Sequence, residues 1–244
     1  MAPKLGLIGP KEDPLGRTLK LRDFLKPDLA YPAACDLTMG LTPDTDDLGN
    51  RDVGCCAVAG PGHFVRWEDQ FVQRPERVQA SDVLREYSAL TGYVPGDDST
   101  DTGTYAIDVM KRWKNVGLFG SKIEAFALVD QYSADEIAKA TFLLGGVFLC
   151  FSLPKRVKSG DLFAASVWDV ADDDGGVAGG HLVWRYGDPA NSWGLPILVM
   201  PAFIARYCYE AWAVVSAESV QPWGRAFSGL DIVGMRTALA AVTV

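Results

Sequence analysis

Histidine is scarce in this chain: only His63 and His181 occur in its 244 residues. The five cysteines include no C-x-x-C pair, and their odd number means that they cannot all pair within the chain. Structural zinc sites and disulfide frameworks depend on such spacings or on even cysteine counts. We therefore expect no metal site, no cofactor and no disulfide scaffold.

Long apolar runs and basic clusters are also missing. The longest apolar stretches, such as "FLLGGVFLCF", reach about half of the ~20 residues that span a bilayer, and the N-terminus lacks the apolar core of a secretory signal. The net charge is −8 and Lys and Arg form no run, so the chain repels phosphate backbones. We predict a protein that is made in the cytosol, does not insert into membranes and does not bind nucleic acid.

The character of the sequence changes along the chain. Residues 1–49 are rich in Pro, Gly and Asp but carry interspersed Leu, Phe and Tyr, which favours an extended arm that packs, with disorder as the alternative. Residues 50–120 show helical periodicity, as in "SDVLREYSAL" and "TYAIDVMKRWKNVG". Residues 121–216 contain short apolar runs that are typical of strands, and residues 217–244 form a tail that ends in a packing helix.

One segment of the strand-rich part, "SADEIAKATFLLG", is predicted as a helix. Ser133 is suited to its N-cap, and Glu136 three residues later completes a capping box. A helical half followed by a strand-rich half predicts an α+β fold with two lobes and a cleft between them.

The candidate chemistry lies on three polar residues. Cys56, in "NRDVGCCAVAGPGH", begins a helix-compatible apolar run, where the helix dipole and a nearby imidazolium lower the pKa of a thiol. His181, in "GGHLVW", begins a strand of the second half and can serve as the base. Asn191, in "NSWG", can hold the imidazole in place. A thiol on the α lobe facing an imidazole on the β lobe would form a nucleophilic site in the cleft.

The hairpin that joins His181 to Asn191 has two turn signals. A turn near residues 186–187 places the two side chains opposite each other, whereas "DP" at residues 188–189 favours a later turn that shifts the pairing. Asp188 is then an alternative partner for the imidazole, or simply a turn residue.

Each candidate also has an inert interpretation. Cys55 and Cys56 are both compatible with burial without chemistry, since free cysteine is among the most buried residue types; we interpret Cys55 as a structural neighbour. His63 lies two helical turns from Cys56, ~10 Å along the axis, which makes it a structural histidine rather than the base. Pro61 falls inside the predicted helix and predicts a kink or a short first turn.

The sequence resembles the papain-like cysteine peptidase superfamily over roughly residues 45–216, and it is most similar to papain-like proteins encoded by bacteriophages of actinobacteria. The resemblance rests on Asn50 followed by "RDVGC" and Cys56, on the glycine-rich turn before His181, and on "NSWG". It implies a helical N-terminal lobe and an antiparallel, β-barrel-like C-terminal lobe. It also implies roles for five residues: Cys56 as nucleophile, His181 as base and later acid, Asn191 as the group that orients His181, Asn50 with the Cys56 N–H as oxyanion hole, and Trp193 as a shield against water.

Two functions follow from this resemblance as expectations. The first is a papain-like peptidase or thiol hydrolase that cleaves a peptide or isopeptide bond of a peptide or protein substrate through an acyl-enzyme. The alternative is a papain-fold structural protein of a phage virion, a capsid decoration or minor tail component with weak or no catalysis, made in the host cytoplasm and associated with other virion proteins. No pro-segment is evident in the sequence, although a cytosolic peptidase normally needs one or a very narrow specificity.

Overall fold

The computed structural model describes residues 3–13, 19–27, 30–32, 37, 40–158, 167–220 and 229–242; Cys35 lies outside these ranges. The described residues form a mixed α+β fold, as predicted. The helices are α1 Cys56–Phe71, α2 Ala80–Thr91, α3 Ala106–Asn115, α4 Ala134–Leu144, α5 Lys155–Lys158, α6 Pro201–Tyr207 and α7 Ile232–Val242. The strands are β1 Ile123–Leu128, β2 Val147–Pro154, β3 Val167–Trp168, β4 Val177–Arg185, β5 Pro189–Ser192, β6 Leu195–Val199 and β7 Cys208–Ser216.

The described strands form one open sheet in the order β1-β7-β2-β4-β5-β6-β3. Neighbouring strands are antiparallel except β3 and β6, which are parallel. The sheet is not closed on itself, so the β-rich lobe contains an open sheet rather than a complete barrel. Helices α1, α2 and α3 precede this lobe in the chain. The arrangement is therefore the predicted one of a helical lobe followed by a strand-rich lobe.

One hydrophobic core joins the two lobes around Phe64 of α1. Its ring meets Trp113 of α3, Phe148 of β2 and Trp184 of β4 edge-on, with ring centroids 5.7, 5.9 and 6.0 Å apart. Such edge-to-face pairs suit the quadrupoles of aromatic rings. Because the partners come from both lobes, α1 is fixed against the sheet and not only against the other helices.

Small residues let α1 approach its neighbours closely. A Cβ atom on Gly60 would overlap the Leu182 side chain of β4, and one on Gly62 would lie 2.8 Å from Leu48 Cδ1. Pro61 lies between these glycines, and the helix continues through it to Phe71. The predicted short first turn is therefore not found, since the surrounding contacts hold the helix despite the missing N–H. The alternative, a kink at Pro61, stays a prediction.

A hydrogen-bond network centred on Asp101 holds the loop that leads into α1. The Tyr87 hydroxyl donates to Asp101 Oδ1 at 2.7 Å and accepts from the Gly103 N–H at 2.8 Å. The Gly54 N–H donates to Asp101 Oδ2 at 3.0 Å. The network thereby fixes two backbone positions, Gly54 and Gly103, next to the start of α1.

The other predicted helix signals have mixed outcomes. Ser133 caps α4, since its hydroxyl accepts from the Glu136 N–H at 3.1 Å. The Glu136 carboxylate accepts from the Asp130 N–H instead of returning to Ser133, so the capping box is only half formed.

The C-terminal tail contains α7, which packs on β1 with Met235 and Leu239 buried. Among the described residues no helix combines the length and apolar character needed to cross a bilayer.

The Asp101 network gives a stability prediction. Replacing Tyr87 by Phe leaves the buried Gly103 N–H without its acceptor and removes one donor from Asp101, which should lower the free energy of unfolding by about 1–3 kcal/mol. Urea unfolding of the variant measures this loss. Tyr132→Phe is the matched control, because that side chain is 69% exposed. Equal stability of the two variants would contradict the role given to the network.

Candidate active site

Cys56 is the first residue of α1, as the sequence predicts for a thiol at a helix N-terminus. Its side chain has no exposed surface. Burial raises the pKa of the Cys56 thiol to about 11, although backbone N–H groups, first that of Leu182 and then that of Gly6, act in the opposite direction. In this closed structure the cysteine is therefore a neutral thiol at pH 7.

His181 lies on β4 and is also fully buried. Its Nε2 is 3.0 Å from the Ser192 hydroxyl oxygen, and Trp193 stacks on its ring with centroids 3.9 Å apart and planes 18° apart. Among the described residues, Nδ1 has no hydrogen-bond partner. Burial lowers the pKa of His181 to about 3, so the imidazole is neutral at pH 7.

The backbone brings the two reactive side chains into one region without joining them. The Cys56 thiol lies at the N–H of Leu182, the residue that follows His181. No hydrogen bond connects the thiol with the imidazole, since Nε2 bonds to Ser192 and Nδ1 is unpartnered within the described part of the chain. The structure thus shows a neutral thiol and a neutral imidazole at the junction of α1 and β4, and not a formed ion pair.

Asn191 does not make the predicted hydrogen bond with His181. It pairs across the hairpin with Trp184, three residues along β4 from His181. Side chains alternate between the faces of a strand, so Asn191 and His181 lie on opposite faces while Ser192 shares the face of His181. The register of the hairpin accounts for this, because the Tyr186 N–H bonds to the Pro189 carbonyl and residues 187–188 form the loop. The turn therefore lies between the two predicted positions.

Asn191 instead ties the hairpin to the loop that precedes α1. Its Nδ2 donates to the Asp44 carbonyl at 3.0 Å, and its Oδ1 accepts from the Gly194 N–H at 3.1 Å. Asp188 does not replace it at His181, since the Asp188 side chain is 70% exposed and faces Arg185 at 3.4 Å. The group beside the imidazole is therefore the Ser192 hydroxyl.

The remaining predicted residues lie just before α1 or within it, and all are buried. Asn50 is 3% exposed, and its side-chain oxygen has no partner among the described residues. Cys55 is fully buried at the N-cap of α1. His63 has the partner expected of a structural histidine, because its Nδ1 lies 2.7 Å from Asp44 Oδ2. Within the described ranges, no group of three or more His, Cys, Asp or Glu side chains is arranged to hold a metal ion.

An N-terminal segment (residues 4–8) lies over this region and spans both lobes. Leu7 pairs with Gly180 of β4, its N–H donating to the Gly180 carbonyl at 3.1 Å. On the other lobe, the Ile8 N–H donates to the Thr104 carbonyl at 2.9 Å, and the Thr104 N–H donates to the Gly6 carbonyl at 2.9 Å. The segment closes the region around Cys56, so it helps to explain why Cys56 has no exposed surface.

Sequence reasoning missed two features of the site, Ser192 and the N-terminal segment. The Ser192 contact had a signal in the sequence, because neighbouring residues of a strand face opposite sides and one of Asn191 and Ser192 must share the face of His181. The position of residues 4–8 had none that periodicity could detect, since a single extended strand between two lobes leaves no repeating pattern.

Comparison with known proteins places the fold. No family model matches the sequence, and no curated protein matches it. Among solved structures, the cysteine protease xylellain from Xylella fastidiosa superposes with a TM-score of 0.68 at 16% sequence identity, covering 89% of this chain and 98% of that one. This chain has the papain-like fold. The similarity to phage-encoded papain-like proteins stays a prediction.

The burial of His181 predicts how stability depends on pH. In the unfolded chain the imidazole has its ordinary pKa of ~6.5, whereas in the folded protein its pKa is lowered to about 3. Protonation below pH 6.5 therefore favours unfolding. The contribution of neutral His181 is complete above pH 6.5 and is lost as the pH falls toward 3, by up to about 1.4 kcal/mol per pH unit.

Urea unfolding of the wild type and His181→Gln at pH 7, 6 and 5 isolates this effect, since all other groups titrate in both proteins. We expect the stability of the wild type relative to the variant to fall with each step in pH. Parallel pH profiles would show that His181 is not buried as a neutral ring.

Proposed function

We propose that this protein is a papain-like thiol hydrolase in a closed state, with Cys56 as nucleophile and His181 as base, that acts on a peptide or isopeptide bond of a peptide or protein. One observation carries the proposal: His181 is fixed by Ser192 and Trp193 while its Nδ1 has no partner among the described residues, and the N–H of the next residue, Leu182, lies at the helix-start thiol of Cys56. The papain-like fold supports it, since it is shared with a cysteine protease.

Leaving Nδ1 of His181 without a hydrogen-bond partner lowers the stability of the folded protein. A buried polar atom without a hydrogen bond destabilises the folded state by about 1–3 kcal/mol, and native proteins keep few of them. If the Nε2–H donates to Ser192, the Nδ1 lone pair is free to accept a proton. That is the tautomer which a general base for the thiol requires.

The reaction that we propose balances within these residues. The Cys56 proton moves to Nδ1 of His181 as the sulfur attacks the substrate carbonyl carbon, and the negative oxygen is held by the Cys56 N–H and the Asn50 side chain. The carbon–nitrogen bond then breaks, and His181 returns the proton to the leaving amine. Water, deprotonated by His181, cleaves the thioester, releases the acid and restores the thiol.

The closed structure must open before this chemistry begins. Burial holds the pKa of Cys56 at about 11 and that of His181 at about 3, so proton transfer from sulfur to nitrogen is strongly unfavourable there. Displacement of residues 4–8 would admit water and substrate, and both pKa values would move back toward ordinary ones because desolvation is their main cause. Latency therefore follows from burial, and it does not require loss of the reactive residues.

The complete burial of Cys56 and His181 also favours a second candidate, a papain-fold protein without catalysis. In that case the role expected from the sequence is a structural one in a phage virion, as a capsid decoration or minor tail component. Stoichiometric co-purification with particles, together with unreactive Cys56, would support this candidate.

A thiol-directed peptide electrophile at neutral pH separates the two candidates. We expect slow but selective modification of Cys56, because among the cysteines that the structure describes it is the one that begins a helix and lies at the N–H of Leu182, next in the chain to His181. We expect His181→Ala to abolish the modification. Peptide mass mapping identifies the modified cysteine, and His63→Ala serves as the control histidine variant. Equal, slow labelling of several cysteines would reject the hydrolase.

Ser192 and Asn191 have different expected effects on this reaction. Ser192→Ala should slow Cys56 modification by the electrophile about three- to tenfold, since a neutral hydrogen bond contributes ~0.5–1.5 kcal/mol. Asn191→Ala should instead lower the free energy of unfolding and leave the rate per folded molecule nearly unchanged, because its amide bonds only to backbone. The reverse pattern would restore Asn191 as the group that orients His181.

A further inference from the structure

The N-terminal segment binds between the lobes as a peptide would. It makes backbone hydrogen bonds with Gly180 on one side and with Thr104 on the other. Addition of an extended strand through main-chain hydrogen bonds is a general mode of peptide recognition, in which side-chain space decides specificity. The cleft at Cys56 can thus be analysed as a site whose occupant is residues 4–8.

On both sides, the N-terminal segment packs directly against backbone atoms of the cleft. A Cβ atom on Gly6 would overlap the carbonyl oxygen of Gly54, and one on Gly54 would lie 2.9 Å from the Gly6 Cα. On the walls of the cleft, a Cβ on Gly103 would overlap the Gly6 carbonyl oxygen, and one on Gly180 would overlap the Leu7 carbonyl oxygen. Four backbones therefore meet with no room for a side chain between them.

A positive φ explains why glycine is needed at only one of these four positions. Gly103 has a φ of +77°, which favours glycine by itself. Gly6, Gly54 and Gly180 have no such positive φ, so their own conformations are open to other residues. Close approach of the segment to the cleft walls is the physical reason that remains for the absence of a Cβ at these three positions.

The glycine of the occupant lies at the nucleophile. Gly6 packs directly on Gly54, two residues before Cys56, and its N–H is among the backbone groups that oppose the rise in the pKa of the Cys56 thiol. Its neighbours are apolar: Leu7 is buried, and Leu5 packs over Gly179. A ligand in this position needs an extended backbone, a residue without a side chain over Cys56, and apolar residues on either side.

We propose that the cleft at Cys56 is a glycine-selective slot for extended peptides, that Gly54, Gly103 and Gly180 set this selectivity, and that residues 4–8 are its resident ligand. The statement about substrates rests on the proposed function: a substrate displaces residues 4–8 and presents glycine, flanked by apolar residues, to the thiol. The statement about binding does not depend on catalysis.

Alkylation of Cys56 by iodoacetamide at pH 8.5, followed by peptide mass mapping, measures whether the slot is occupied. Gly6→Ala should drive the segment out and raise the alkylation rate of Cys56 about tenfold or more, because the opening equilibrium controls access to the thiol. Gly9→Ala is the matched control, since nothing lies within 4 Å of a Cβ at that position. Cys150, fully buried in the sheet, should stay protected in all variants and reports on the fold.

Selectivity is measured by adding peptides to the full-length Gly6→Ala protein. The peptide Lys-Leu-Gly-Leu-Ile, the sequence of residues 4–8, should restore protection of Cys56, whereas Lys-Leu-Ala-Leu-Ile should not. Slow alkylation of a folded Gly6→Ala protein, or equal protection by both peptides, would overturn the proposal. Should Gly6→Ala unfold and expose Cys150, Leu7→Ala takes its place, because it loosens the segment without a clash and the same two peptides apply.

A failure of the peptide-slot proposal can be distinguished from a failure of the proposed hydrolase function. Iodoacetamide needs access to the thiol and no base, so His181→Ala in the Gly6→Ala background should alkylate as fast as Gly6→Ala alone near the ordinary thiol pKa of ~8.5. An opened slot that binds the glycine peptide while the peptide electrophile shows no dependence on His181 would reject the hydrolase and keep the slot.

Discussion

Helix α1 lies close on strand β4 because residue 60 is a glycine, where any Cβ would overlap the Leu182 side chain. This contact places the first residue of the helix, Cys56, at the N–H of Leu182 and hence one residue from His181. The aromatic cluster around Phe64 fixes the same helix against both lobes. The position of the thiol relative to the imidazole is therefore a consequence of core packing, and the surrounding loops adjust to it.

Closure of the site is a second consequence of backbone packing. Residues 4–8 fill the space between Gly180 and Thr104. Together with the hydrophobic cores of the two lobes, this segment leaves Cys56 and His181 without contact with solvent. Desolvation then opposes the charged forms of both, which keeps sulfur and nitrogen neutral and unbonded. A fold that is shared with a protease can in this way hold an intact thiol and imidazole in an unreactive state. The unpartnered Nδ1 of His181 is the atom of this arrangement that the proposed base would use.

The sequence predicted the parts of this structure that depend on local pattern. Periodicity, capping and turn residues account for the two-lobe α+β arrangement, the helix that begins at Cys56 and the Ser133 cap. They also predicted the strand that contains His181, although β4 begins four residues earlier, at Val177. The partner of His181 could not be fixed in the same way, because a shift of one residue in the register between β4 and β5 decides whether Asn191 or Ser192 shares the face of His181. The capping box at Glu136 is only half formed because its carboxylate bonds to the Asp130 N–H in the loop before the helix, which the capping pattern does not specify. The path of residues 4–8 depends on the space between two lobes, which only the assembled fold defines.

The central claim, that His181 is a buried neutral imidazole held through one nitrogen with the other free, is tested most directly by an NMR pH titration of the imidazole nitrogens. The chain contains only two histidines, so His181→Gln assigns both sets of signals. We expect the signals of His181 to remain those of a neutral ring with its proton on Nε2 down to about pH 4, consistent with a pKa of about 3. A titration with its midpoint near the ordinary value of ~6.5, or a neutral ring with its proton on Nδ1, would contradict the account.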